Sequence, residues 1–217
     1  VGGHQAGEIA AQIGVDSVMA YIAEVDTFED PPMILAQAIL SANQAILNTY
    51  ENNPELSGMA ATCVTFLVKD QRLYLANLGD SRAYLVRNGK AHQLTFDHTW
   101  LEDSIGMEFG ARSGITRDHP LAHVLSRYLG SPQTPEIDLR IQPIKGQSKP
   151  NKMNNGLPLK SGDRLLLCSD GVTDLLKEEQ IAGNMTCPSA RKSAQKLVLA
   201  ALEKGDHDNA SVVVIYL

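Results

Sequence analysis

The sequence predicts an α+β fold with antiparallel sheets. Three observations carry this: strand-like runs come in pairs joined by short turns, helix-like runs come in separate blocks, and the βαβα rhythm of a parallel sheet is missing. Of the 217 residues, 43% are hydrophobic and 20% charged, the composition of an ordinary globular protein. A chain of this length buries roughly 70% of the surface it exposes when unfolded, enough for a core without disulfide or metal staples. Residues 1–217 are therefore expected to form a single domain.

From Gly7 onward, Ile9, Ile13, Val18, Ile22 and Val25 recur at helical spacings, with Glu8 in the first turn where the helix dipole favours an acid. Pro31-Pro32 opens a second amphipathic helix over 33–50, whose stripe is Ile34, Leu35, Ala38, Ile39, Ala42, Ile46 and Leu47. Past Asn52-Asn53-Pro54 the pattern becomes β-rich. Runs 63–68 and 72–78 meet through Lys69-Asp70-Gln71 as a hairpin. Runs 82–87 and 90–95 flank Asn88-Gly89, the dipeptide that supplies positive φ at both centres of a type I′ turn. These four strands are expected as one meander, with Gly79-Asp80-Ser81 the tight turn in its middle. Residues 99–112 and 120–129 are expected to be helical, and His98 reads as an N-terminal helix residue beside Asp97. Residues 136–141 alternate polar and apolar as a half-buried strand does. Residues 144–161 have no period and read as a surface loop. A buried strand over 163–168 ends at Ser169-Asp170-Gly171, helices follow over 178–185 and 188–204, and 210–216 is a closing strand.

The formal charge of -6 comes from 19 Lys+Arg against 25 Asp+Glu. Without a long block of like charges, there is no footprint for nucleic acid. No apolar stretch reaches the roughly 18 residues of a membrane span. Val1-Gly2-Gly3-His4 has neither the basic nor the apolar region of a secretory signal, so the cytoplasm is the expected compartment. A start without Met reads as a processed product or a fragment. Cys63, Cys168 and Cys187 are odd in number and widely spaced, as reduced thiols are, the first two acting as small hydrophobes.

Three aspartates share a placement. Asp80 follows Leu78-Gly79, Asp170 follows Cys168-Ser169, and Asp208 precedes Asn209-Ala210, so each stands just beyond a strand-like run. Carboxylates converging on one sheet edge, without His or Cys, suit hard cations such as Mg²⁺ and Mn²⁺ better than Zn²⁺. Asp-Gly and Asp-Asn are also common turn formers, and spacing alone leaves both readings open. Gly79-Asp80-Ser81-Arg82-Ala83 is close to the G-x-S-x-G nucleophile elbow, but that elbow needs a strand-to-helix turn and Ser81 leads into a strand. A cysteine phosphatase loop needs an arginine six residues after its thiol, where this chain has Lys69, Asp174 and Ser193. Arg82 reads either as a fork for an anion or as a surface cation. Gly2-Gly3-His4 reads either as an anion site before a helix or as a flexible start.

Gly58-Met59-Ala60-Ala61-Thr62, Asn77-Leu78-Gly79-Asp80-Ser81-Arg82-Ala83, Gln93-Leu94-Thr95-Phe96-Asp97-His98, Gly162-Asp163-Arg164-Leu165-Leu166-Leu167-Cys168-Ser169-Asp170-Gly171 and Asp208-Asn209 occur in that order. The series resembles the bacterial metal-dependent serine/threonine protein phosphatases of the type 2C, or PPM, family. The start Val1-Gly2-Gly3-His4-Gln5-Ala6-Gly7-Glu8 resembles that family's D-G-M-G-G-H-x-x-G-E segment with its leading part cut away. The resemblance implies an antiparallel β-sandwich flanked by helices, with Mn²⁺ or Mg²⁺ activating a water for attack on phosphorus. It makes Asp170 and Asp208 ligands of a binuclear centre, with the Gly171 backbone beside them, and gives Asp80 and Asp170 a third, weaker ion. His4 matches the histidine of the segment and becomes the catalytic candidate, and Arg82 the substrate-binding one. Residues 97–130 would contain a flap beside the substrate groove, and the partners would be phosphorylated proteins and a serine/threonine kinase. Two features of the family are missing from this chain: the metal-bridging Asp-Gly, due immediately before Val1, and an upstream R-x-x-N-E-D segment. The resemblance therefore implies absent N-terminal strands, unpaired sheet edges, and weak metal binding with slow or no turnover by these residues alone. The alternative is a catalytically incomplete, phosphatase-like regulatory or binding module.

Overall fold

The computed structural model describes residues 6–106, 119, 121–144, 154–205 and 209–217. The chain divides into two compact units, one of Val1–Cys63, Ala76–Asp80 and Asp97–Leu139, the other of Val64–Leu75, Ser81–Phe96 and Arg140–Leu217.

In the first unit, helices α1 (Gly7–Ala23) and α2 (Pro31–Asn52) pack on each other. Asp30 caps α2, its carboxylate accepting the Met33 amide at 3.3 Å, and Pro31 takes the first helical turn, where no amide is needed. Of the apolar residues expected on α1, Val18 is buried and Ile13 and Ile22 are half-buried, with Ala10 and Gly14 completing the buried face; Ile9 is exposed, and Val25 lies past the end of the helix. On α2 the stripe is as expected, with Leu35, Ala38, Ile39, Ala42 and Ile46 buried. Asn43, also buried, accepts the Gly130 amide at 2.8 Å and donates to the Ser131 carbonyl at 3.3 Å. A short helix, α3 (Trp100–Gly106), falls within the expected helical region. The helix expected over 120–129 is not formed by its described residues. Their backbone groups bond outward instead: Trp100 donates to the Val124 carbonyl, Leu101 to that of Ala122, and Ala61 and Leu129 exchange a bridge. The strand expected over 136–141 is likewise reduced to isolated contacts, Asp138 exchanging both backbone bonds with Asn77.

The second unit holds most of two sheets, Cys63 of the first strand and Ala76–Leu78 of the second falling in the first unit. Strands β1 (Cys63–Lys69), β2 (Arg72–Leu78) and β5 (Leu157–Pro158) run in the order β1-β2-β5, and β3 (Arg82–Arg87), β4 (Lys90–Gln93), β6 (Arg164–Cys168) and β7 (Val212–Tyr216) in the order β4-β3-β6-β7. Both hairpins turn on paired left-handed residues, Asp70 (φ 50) with Gln71 (φ 56) and Asn88 (φ 52) with Gly89 (φ 72), the geometry that matches strand twist. The single meander is corrected: the two hairpins lie in different sheets. The reading of 144–161 as loop is corrected at its described end, where Leu157 and Pro158 pair with Leu73 and Arg72, and buried Asn154 donates to the Leu75 carbonyl at 2.8 Å. Residues 145–153 lie outside the described residues.

Alternation along the strands produces two cores. Ala83 and Leu85 of β3 and Leu165 of β6 face Leu73 and Leu75 of β2, with Leu94, Ile141 and Ile144 closing this inter-sheet layer. Tyr84 and Val86 of β3 with Leu166 and Cys168 of β6 face the opposite way. They pack on Val172, Leu176, Ile181, Ala182, Met185 and Leu197, from α4 (Asp170–Thr173), α5 (Glu178–Asn184), α6 (Ala190–Leu202) and the turns between them. Being covered on both faces is why Leu165-Leu166-Leu167 is continuously apolar and not alternating. Among the described residues, no helix is long and apolar enough to cross a membrane. All three cysteines are free. Cys168 is buried, and Cys63, although only half-buried as a residue, has a thiol that desolvation pushes up to about 12, leaving it protonated and inert.

Candidate functional site

The antiparallel pairing of β3 with β6 sets Arg82 opposite Cys168, and that of β6 with β7 sets Cys168 opposite Val212. One end of the second sheet therefore gathers Arg82, the start of α4 and the chain entering β7. Ser169 ties this corner: its amide donates to the Ser211 carbonyl at 3.1 Å, its hydroxyl donates to the Asn209 carbonyl at 3.1 Å, and it accepts the Ser211 amide at 3.0 Å. Asp170 follows, half-buried, with Oδ1 accepting the Gly171 amide at 2.9 Å. The Arg82 guanidinium lies 3.4 Å from the Tyr84 hydroxyl.

Gly171 is required by close approach. A Cβ there would stand 2.7 Å from the Asn209 carbonyl oxygen and 3.1 Å from its carbon, both backbone atoms. Gly171→Ala should push the α4 turn off the strand entering β7, costing about 1–3 kcal/mol, which urea unfolding will measure.

Asp80 belongs to the first unit, half-buried just past the end of β2. Gly79 before it has φ +112, and a Cβ there would come within 2.6 Å of Thr62 Cβ. Both Gly79 backbone groups are held. Its amide donates to His98 Nδ1 at 3.0 Å, while its carbonyl accepts the His98 amide at 3.1 Å and Asn77 Nδ2 at 3.2 Å. His98 Nε2 lies 3.3 Å from Asp138 Oδ2, and both residues are buried, at 1% and 5% exposure. The expectation that His98 merely opens a helix is thus corrected. This pair was not anticipated from sequence, where the only available signal was the adjacency of His98 to Asp97.

His4 and Asp208 lie outside the described residues. Among the described residues, no group of three or more His, Cys, Asp and Glu side chains is assembled. Arg82, Asp170 and Gly171 are brought together at one sheet end, with Asn209, the residue after Asp208, against them. The group this corner offers a cation is the Asp170 carboxylate, an oxygen donor of the kind that suits Mg²⁺ or Mn²⁺.

Comparison with known proteins identifies the class to which this fold belongs. The protein phosphatase 2C family model matches residues 1–103, and the chain belongs to that family. It is similar to the crystal structure of the Mycobacterium tuberculosis serine/threonine phosphatase PstP/Ppp, 32% identical with a TM-score of 0.77, covering 99% of this chain and 83% of that one. The PstP catalytic domain in complex with two manganese ions is equally similar, 32% identical with a TM-score of 0.76 and the same coverage. The PstP sequence of Mycobacterium tuberculosis strain H37Rv is 34% identical over 218 residues, 99% of this chain and 38% of the relative, so the chain spans well under half of that protein.

Proposed function

We propose that this chain hydrolyses phosphoserine and phosphothreonine in proteins, with Mn²⁺ or Mg²⁺ as cofactor. The observation that carries the reading is the Asp170-Gly171 turn closed against Asn209, in a chain 32% identical to a phosphatase domain whose structure contains two manganese ions. Asp170 and Asp208 would hold the ions, with Asp80 contributing to a third site. When bound, the metal supplies a water activated at neutral pH and positive charge on the phosphoryl oxygens. The chain's own residues prepare this. The Gly171 amide orients the Asp170 carboxylate, and Arg82 offers a planar fork to a phosphoryl group. The net charge of -6 makes bound cations necessary before an anionic phosphopeptide is attracted. In this reading His4 remains the catalytic candidate and the segment within residues 97–130 flanks the substrate. The substrates are phosphorylated proteins of the cytoplasm, and the activity opposes the serine/threonine kinase that phosphorylates them. Initial rates on a phosphothreonine peptide, with and without millimolar Mn²⁺, test the reading. Metal-dependent release of phosphate is expected, slow or absent from these residues alone and restored in a form that carries the upstream Asp-Gly. Its absence both from this chain and from a form carrying the upstream Asp-Gly would instead leave a phosphatase-like binding module.

A further inference from the structure

The turn that presents Asp80 is held by a buried pair from elsewhere in the first unit. Gly79, in a conformation that few side chains tolerate, has its amide and carbonyl both bonded to His98, one through the ring and one through the backbone. Because Nδ1 accepts the Gly79 amide, the ring proton resides on Nε2, which faces the Asp138 carboxylate. Asp138 is itself fixed, exchanging backbone bonds of 2.9 and 3.0 Å with Asn77, whose side chain also donates to the Gly79 carbonyl. The result is a closed circuit, Asn77 to Gly79 to His98 to Asp138 and back to Asn77. Burying a histidine and an aspartate is costly unless they are hydrogen-bonded, and this circuit supplies those bonds to both residues. A carboxylate that ligates a metal is typically oriented by such a supporting shell.

We propose that His98 and Asp138 are positioning residues, a clasp that fixes the Gly79 turn and so sets the Asp80 carboxylate for its cation. The proposal rests on the reading of Asp80 as a metal ligand given above. His98 donates to Asp138, accepts from Gly79 and touches no substrate; it acts through the backbone of the residue before Asp80.

The test is Mn²⁺ binding, followed by the electron paramagnetic resonance signal of free Mn²⁺, together with amide exchange of Gly79 by nuclear magnetic resonance. Asp80→Asn should remove one class of Mn²⁺ site. His98→Ala should weaken that same class about 10–100-fold and speed Gly79 exchange. His98→Asn, whose Oδ1 stands where Nδ1 stood, should restore slow exchange and most of the affinity. His98→Gln, which reaches Asp138 but offers Gly79 no acceptor, should not. If His98→Ala does not fold, the Asn and Gln variants carry the comparison. Wild-type Mn²⁺ affinity in His98→Gln, with the site lost in Asp80→Asn, overturns the clasp while leaving Asp80 a ligand. Unchanged Mn²⁺ binding in Asp80→Asn overturns the metal reading of Asp80 and the positioning role together, whatever the exchange rate of Gly79.

Discussion

Asp170→Asn lowers metal-dependent phosphopeptide hydrolysis by roughly 100-fold or more, about 3 kcal/mol in transition-state stabilisation, and leaves thermal stability close to wild type. The two halves of this expectation come from the same geometry. Asn keeps the volume of Asp170 and an acceptor for the Gly171 amide, now 2.9 Å from Oδ1, so the turn into α4 has no reason to move. What is lost is the negative charge, and a neutral amide is a poor ligand for a hard divalent cation. The check is a pair of measurements on one preparation: initial rate against Mn²⁺ concentration, and melting temperature without metal. A fall in rate accompanied by a fall in melting temperature would assign Asp170 to the fold rather than to the chemistry. Wild-type turnover in the variant would remove Asp170 from the proposed centre altogether.

The legibility of this site in the sequence follows from how local its determinants are. Asp80 and Asp170 could be placed beyond strand ends because the strands before them, 72–78 and 163–168, are announced by continuous apolar runs. Asn88-Gly89 was equally local, since its turn type follows from two residues able to adopt positive φ. The failures arise where backbone partners are distant. Residues 121–129 carry helix-like spacing, yet their carbonyls and amides are taken by Trp100, Leu101, His98 and Ala61, so no ladder of i to i+4 bonds forms. Leu157-Pro158 is a strand only because Arg72 and Leu73 are beside it, and two residues have no period to read. Assigning the two hairpins to one sheet failed for a related reason: a positive-φ glycine at 79 looks like any tight turn, whereas which sheet β3 joins is decided by β6, some eighty residues later. The His98–Asp138 pair combines both difficulties, because Asp138 occupied a polar position in an alternating pattern and its partner lies 40 residues away.

Asp163→Ala destabilises the protein by about 3–5 kcal/mol, the cost of leaving a buried charge without its partner. Arg87, at the end of β3, grips Asp163 with both arms of its guanidinium, Nε to Oδ1 at 2.8 Å and Nη2 to Oδ2 at 2.5 Å, with side chains 10% and 2% exposed. The Lys160 amide adds a third bond to Oδ2 at 2.7 Å, and Arg87 Nη2 also reaches the Pro158 carbonyl at 2.9 Å. Burial alone would raise the Asp163 carboxyl. The bonds from Arg87 and the Lys160 amide, with the attraction of both cations, outweigh it and hold the group below its ordinary value. Arg87 is shifted the other way, upward through the same bond to Asp163 and against the opposing effect of burial, so it stays charged at every accessible pH. The pH dependence of the pair therefore belongs to Asp163. With the folded value below the unfolded one of about 3.9, the stabilisation is fully present above roughly pH 4–5 and is lost as pH falls through the folded value. Urea midpoints from pH 7 to pH 3 should show a constant gap between wild type and Asp163→Asn down to about pH 5, narrowing below about pH 4 as the wild type loses what the variant never had. A gap that is small at pH 7, or that widens on acidification, would mean that the desolvation of the pair cancels its attraction. In that case Arg87→Met with Asp163→Leu should match or exceed wild-type stability, whereas a working pair requires the double substitution to recover most of the loss of Asp163→Ala without surpassing the native corner.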